Sequence, residues 1–221
     1  LLAKSLLNHG DSDVTLTTSA SSGRYRVHEM VRQFAREQLE LCDEVEATYR
    51  RMLAYYGRFA EKGHTEATGD RYVRWIETLQ VELDNLRLVL EWGFENEAHA
   101  ALELFCALRL LWEQRSADEV SEWMTRAIAL SEATSDITDE LLARVLSMAA
   151  WLDRDHRQAA ARAERALELA RAADNQWLIA TVLPLIGHAA IREGRPEYAR
   201  KLFHEAIEIA KRLDNPALEA S

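Results

Sequence analysis

From residue 28 onward, apolar side chains recur with a period of about 3.6 residues, the spacing that collects them on one face of a helix. Val31, Phe34, Ala35 and Leu39 fall on one such face, with Arg32, Arg36, Glu37 and Glu40 opposite. The same pattern predicts helices over about 43 to 62 and 71 to 94, separated by the Gly63 to Gly69 region. Past residue 97 the helices come in pairs. The breaks between them fall at Ser116-Ala117-Asp118, Ser135-Asp136, Asp153 to Asp155, Asp174-Asn175, Glu193 to Pro196 and Asp214 to Pro216. Before residue 28 the pattern differs. Thr15 to Thr18 and Arg24 to Val27 are β-prone runs around Ser19 to Gly23, which predicts a β-hairpin leading into a helix.

Regular breaks call for a repeat test. Ala206-Ile207 matches Ala166-Leu167, 40 residues earlier, and that pair matches Ala127-Ile128, 39 earlier; Asp214-Asn215 repeats Asp174-Asn175. The most regular unit carries Leu183, Ile186, Gly187, Gly194, Ala199, Phe203 and Ala206. Its small residues allow two helices to approach, and its large ones fill the space between. This spacing resembles the tetratricopeptide repeat, whose usual period is about 34 residues. Leu108 and Ser147 stand where the third unit has Gly187. The expected fold is all-α: a solenoid of tetratricopeptide-like helix pairs, preceded by a partial winged-helix segment with a short β-hairpin. The expected domains are 1–42 (winged-helix part), 43–96 (helical linker) and 97–221 (about three helix pairs).

Composition agrees with helices. Of the 221 residues 48% are hydrophobic, and only 8 Gly and 3 Pro are present. No apolar run reaches the roughly 18 to 20 residues of a membrane span, so no membrane partner is expected. Cys42 and Cys106 form no short metal-binding spacing, which suits a cytoplasmic location. The formal charge is -10, and its acid is concentrated: 10 basic residues face 23 acidic ones between 37 and 140. That stretch would repel a phosphate backbone, so no direct nucleic-acid partner is expected. A winged-helix DNA reader using Arg24, Arg26, Arg32 and Arg36 is the minority alternative.

Two stretches carry a family resemblance. Lys4-Ser5-Leu6-Leu7, with the run Arg24 to Ala35, is similar to the winged-helix end of the STAND-class, NB-ARC-like signal-transducing ATPases. Glu82 to Trp92 is similar to the linker helix that precedes tetratricopeptide-like repeats in many bacterial regulators of that class. The resemblance implies a sensor module of a multidomain, signal-responsive ATPase, with ATP or ADP in the intact parent and no cofactor in this chain. It also implies that Val27-His28-Glu29 matches the family's Met-His-Asp motif, making His28 a nucleotide sensor. The alternative for His28 is a helix-start residue satisfied by backbone. Leu1 is not an initiator methionine and no G-x-x-x-x-G-K-[ST] phosphate loop occurs, so the chain is expected to be a piece of a larger protein.

Catalytic chemistry finds no support. No G-x-S-x-G turn occurs, and neither Asp153 to His156 nor Asp139-Glu140 has a second ligand cluster at metal-binding spacing. The chain is expected not to be an enzyme. Aligning the units on Leu108, Ser147 and Gly187 brings Arg109, Met148 and His188 to one position and Trp112, Trp151 and Ile191 to another. By likeness to tetratricopeptide proteins these six residues line a ligand groove. They suit a protein or peptide segment, or a small-molecule inducer. The competing reading packs the tryptophans between repeats. The competing function is a freestanding scaffold for protein-protein interaction.

Overall fold

In a computed structural model of the chain, residues 7–9, 25–27, 29–66 and 70–213 are described. The chain divides into two compact units, Leu1–Tyr49 and Arg50–Ser221.

In the first unit, strand β1 (Leu7–His9) pairs antiparallel with β2 (Tyr25–Val27), Leu7 opposite Val27 and His9 opposite Tyr25. Helix α1 (Glu29–Leu41) follows. The hairpin expected between Thr15–Thr18 and Arg24–Val27 is corrected here, because the strand found against β2 is Leu7–His9. Residues 15–18 lie outside the described residues. Lengthening the connection costs little closure entropy, since that cost grows only with the logarithm of loop length. The register sets two apolar residues opposite each other, whereas the Thr-rich run offers one leucine.

Among its described residues the second unit holds helices joined by turns and no strand. Helix α2 (Val45–Glu66) leads to α3 (Asp70–Val81) and α4 (Leu83–Asn96). The single helix expected over 71 to 94 is therefore two. The break is Glu82, at φ -89° and ψ 0°, whose carboxylate accepts hydrogen bonds from Tyr56 Oη and Asn85 Nδ2, both at 2.8 Å. The first helix of the opening pair is also broken, into α5 (Ala98–Ala107) and α6 (Arg109–Trp112). Its partner is α7 (Ala117–Ala133). Helices α8 (Asp139–Leu152) and α9 (His156–Ala172) form the second pair, and α10 (Gln176–Arg192) and α11 (Pro196–Arg212) the third. The pairs stack, α9 packing on both α8 and α10, which makes an α-solenoid. No described helix is long and apolar enough to cross a membrane.

The breaks are built from capping chemistry. Ser116, Thr138, Asp155 and Asn175 each accept a hydrogen bond from a first-turn amide of the following helix, and Pro196 opens α11. Such a cap is worth about 1 kcal/mol. After α10 the chain reverses through Gly194 at φ +73°, with the Arg195 amide donating to Ala190 O at 2.8 Å.

Two apolar clusters fill the unit. One joins α2, α3 and α4 to the first pair and α8 around Leu86, Leu90, Phe105, Trp112 and Trp123; the other joins α8 to α11 around Leu146, Ala166, Leu178, Leu183 and Leu202. The glycine position shows how the pairs differ. A Cβ added at Gly187 would lie 2.7 Å from the Phe203 ring. The second pair has Ser147 and Ala163 at the corresponding places, and the first has Leu108 and Met124. Leu108 is fully buried, and the first helix breaks at that residue.

Candidate recognition site

The first helices of the pairs carry all six groove residues expected from the repeat register, and the structure separates them. Trp151 is 50% exposed and Ile191 51%, while Trp112 is 1% exposed. Trp112 donates its indole N–H to Phe105 O at 3.0 Å and packs against Phe105 and Trp123 at ring separations of 5.2 and 5.8 Å. Met148 is buried as well. Both side chains belong to the core and are closed to a ligand, so for Trp112 the packing alternative describes its place. The helix carrying Trp112 is broken at Leu108, at φ -90° and ψ 19°, whereas α8 and α10 run unbroken through the matching position.

What the first and second pairs present instead is a cluster centred on Glu113. Its Oε1 accepts from Arg109 Nη1 at 2.6 Å and from Trp151 Nε1 at 2.9 Å. The Arg109 guanidinium lies over the Trp151 ring, 5.0 Å from its centre. A carboxylate fixing both the cation and the indole it covers holds a large aromatic face at the surface in one orientation. Nothing in the repeat register pointed to Glu113, which lies one residue past α6. A sequence signal did exist, in the four-residue spacing of Arg109 and Glu113.

In the third pair His188 is exposed and meets the Phe203 ring edge-on at 5.3 Å. Ile191 lies one helical turn further along α10. The turn before α9 has structural tasks. Asp155 caps the helix, and Asp153 accepts from the Asp155 amide at 2.9 Å and pairs with Arg162.

Two shallow recesses lie elsewhere in the second unit. One, of about 500 Å³, sits among α7, α8 and α9 and is lined by Ile137, Leu142, Leu146, Arg162 and Arg165. The other, of about 510 Å³, runs along α7 from Asp118 to Arg126. Neither touches the six groove residues. Among the described residues no group of three or more His, Cys, Asp or Glu is placed to hold a metal ion. Burial pushes the Cys106 thiol up to about 12, with Arg144 pulling weakly the other way, so the nucleophilic thiolate is suppressed at neutral pH. His28 lies outside the described residues.

Comparison with known proteins finds a likeness to regulators. It is 28% identical over 237 residues to the regulatory protein AfsR of Streptomyces coelicolor, covering 95% of this chain and 24% of that protein. It is also 28% identical over 203 residues to proteins assigned as HTH-type transcriptional regulators in Mycobacterium bovis and Mycobacterium tuberculosis, covering 87% of this chain and 22% of each. The chain thus spans about a quarter of the length of the curated relatives it matches. Neither a family model nor a solved structure matches it.

Proposed function

We propose that the chain is a non-catalytic recognition module of a bacterial transcriptional regulator, in which the stacked helix pairs hold a protein or peptide segment. The observation that carries this reading is the pair of half-exposed apolar side chains, Trp151 and Ile191. They share one repeat position on neighbouring first helices, in a body similar along nearly its whole length to regulators. Exposed aromatic and branched residues fixed on a rigid scaffold are the usual anchors of protein recognition.

In this reading residues 97–221 are tetratricopeptide-like repeats and residues 43–96 a helical linker. Residues 1–42 are the winged-helix end of a STAND-class nucleotide switch, and His28 contacts its ATP or ADP in the intact parent. The support is the resemblance of Arg24 to Ala35, together with the succession of β2, His28 and α1. A partner or small-molecule inducer that binds one state of the switch better than the other would drive it, through that difference in affinity. The names of the mycobacterial relatives attach a helix-turn-helix to those proteins. In this chain the acidic excess between 37 and 140 favours protein over phosphate as the partner.

The test is made in the encoding organism, with the gene otherwise intact. Trp151→Ala with Ile191→Ala removes the two anchors. The expected result is a changed transcript profile at unchanged protein level. An identical profile at equal abundance would overturn the proposal.

A further inference from the structure

We infer that the edge formed by the turns of the second and third helix pairs selects acidic peptide segments that carry apolar side chains. The inference rests on the recognition reading above and names the chemistry of the partner. A succession of contacts makes this edge continuous. Glu113 holds Trp151 near the end of α8, and the chain then turns through Arg154 into His156, the first residue of α9. His156 lies beside Arg192 at the end of α10, and Arg195 lies over the Tyr198 ring, 5.1 Å from its centre.

The charges along this edge do not balance. Its acids are occupied: Glu113 by Arg109 and Trp151, Asp153 by Arg162, Asp155 by the amides of Arg157 and Gln158, and Glu193 by Arg195. Arg154 and Arg157 are exposed and have no side-chain partner among the described residues. Arg192 is exposed, and its partner is the imidazole of His156, which brings no negative charge. Three arginines without a carboxylate partner therefore stand against one carboxylate, Asp155, whose amide partners bring no positive charge, and the edge is left basic on a chain of formal charge -10. Arg154 and Arg157 follow the half-exposed Trp151 in the chain, and Arg192 directly follows the half-exposed Ile191. Guanidinium groups favour carboxylates in paired geometry, and the neighbouring apolar groups call for side chains that a peptide supplies and a phosphate backbone lacks. Nucleic acid needs a longer basic track.

The experiment is a selection from a displayed library of random short peptides against the whole 221-residue chain. Fluorescence anisotropy of the labelled winners follows, with the wild type, with Arg154→Glu/Arg157→Glu/Arg192→Glu, and with Trp151→Ala. Circular dichroism melts verify that the variants fold. Acidic winners with apolar residues are expected. Reversing the three charges should weaken their binding at least about tenfold and steepen the loss at low salt. If the winners lack acidic bias yet still need Trp151, the inference falls while the recognition reading stands. No winner, or winners indifferent to both variants, would remove both. A labelled poly-dT oligonucleotide that binds as tightly with the same arginine dependence would overturn the assignment to a peptide.

Discussion

Trp151 and Glu113 are joined by a 2.9 Å hydrogen bond from indole N–H to carboxylate, although one belongs to the second helix pair and the other to the turn within the first. The same oxygen holds Arg109, whose guanidinium covers the indole. One carboxylate thus fixes both the register between two pairs and the orientation of an exposed aromatic ring.

Glu113→Ala should lower stability by about 1 kcal/mol, the worth of a partly exposed charge-assisted contact. Glu113→Gln keeps an acceptor for the indole and should lose about half as much. Urea midpoints measure both, and acrylamide quenching should show more accessible tryptophan in the alanine variant alone. Equal midpoints for wild type and both variants would refute a structural role for this carboxylate.

Gly187 and Phe203 give a reversal of sign. In an exposed helix, Gly→Ala gains up to about 1 kcal/mol in propensity. Here the added Cβ would press on the Phe203 ring at 2.7 Å, an overpacking worth about 1–3 kcal/mol. Gly187→Ala should therefore destabilise the wild type and stabilise a Phe203→Ala background. A double-mutant cycle in urea reads the coupling, and the same sign in both backgrounds would rule out this packing account.

Gly93 presents a harder case, because a Cβ there would lie 2.8 Å from the Ala101 Cβ, with no flexible side-chain end to yield. Gly93→Ala must move α4 against α5. A loss of about 2–3 kcal/mol is expected, more than for Gly187→Ala. Thermal midpoints of the two variants compare them directly.

Arg126 lies over the rings of Phe94 and Trp123 at 5.5 and 4.8 Å and makes paired hydrogen bonds of 2.8 and 2.7 Å to Glu91. The Arg126 hydrogen bond holds the Glu91 carboxyl below its usual value. A depressed carboxyl contributes stability above its unfolded pKa and loses that contribution as pH falls through the folded one. Glu91 is half exposed, so the effect is small after solvent screening. Arg126→Met, which retains the apolar contact, should flatten the loss of stability on acidification. Urea midpoints measured across the carboxylate range test this, and parallel curves would count against it.

Helix starts were legible because the residues that cap them are polar and short: Ser116, Thr138, Asp155 and Asn175 all stand at or beside the breaks read from the pattern. The pairing of the last helices was legible for the same reason, together with the spacing of Gly187, Ala199 and Phe203. Two breaks left no such mark. Val81-Glu82-Leu83 continues the apolar rhythm, and the hydrogen bond that Glu82 takes there comes from Tyr56, distant in sequence. Leu108 is a good helix former, yet α5 ends there, and Trp112 in the short helix that follows is buried. Repeat register therefore located Trp151 and Ile191 at the surface and misplaced Trp112. The strand opposite Tyr25–Val27 was missed because pairing across a long connection has no local signature.

Whether a partner is held along the first helices of the pairs is read most directly by titrating a display-selected peptide against the whole chain and against Trp151→Ala/Ile191→Ser. Both positions are half exposed, so the double variant should keep its fold and nearly its melting temperature. Recognition at this face predicts an affinity loss of at least about tenfold. Equal affinity in the two proteins, with both folded, would contradict it.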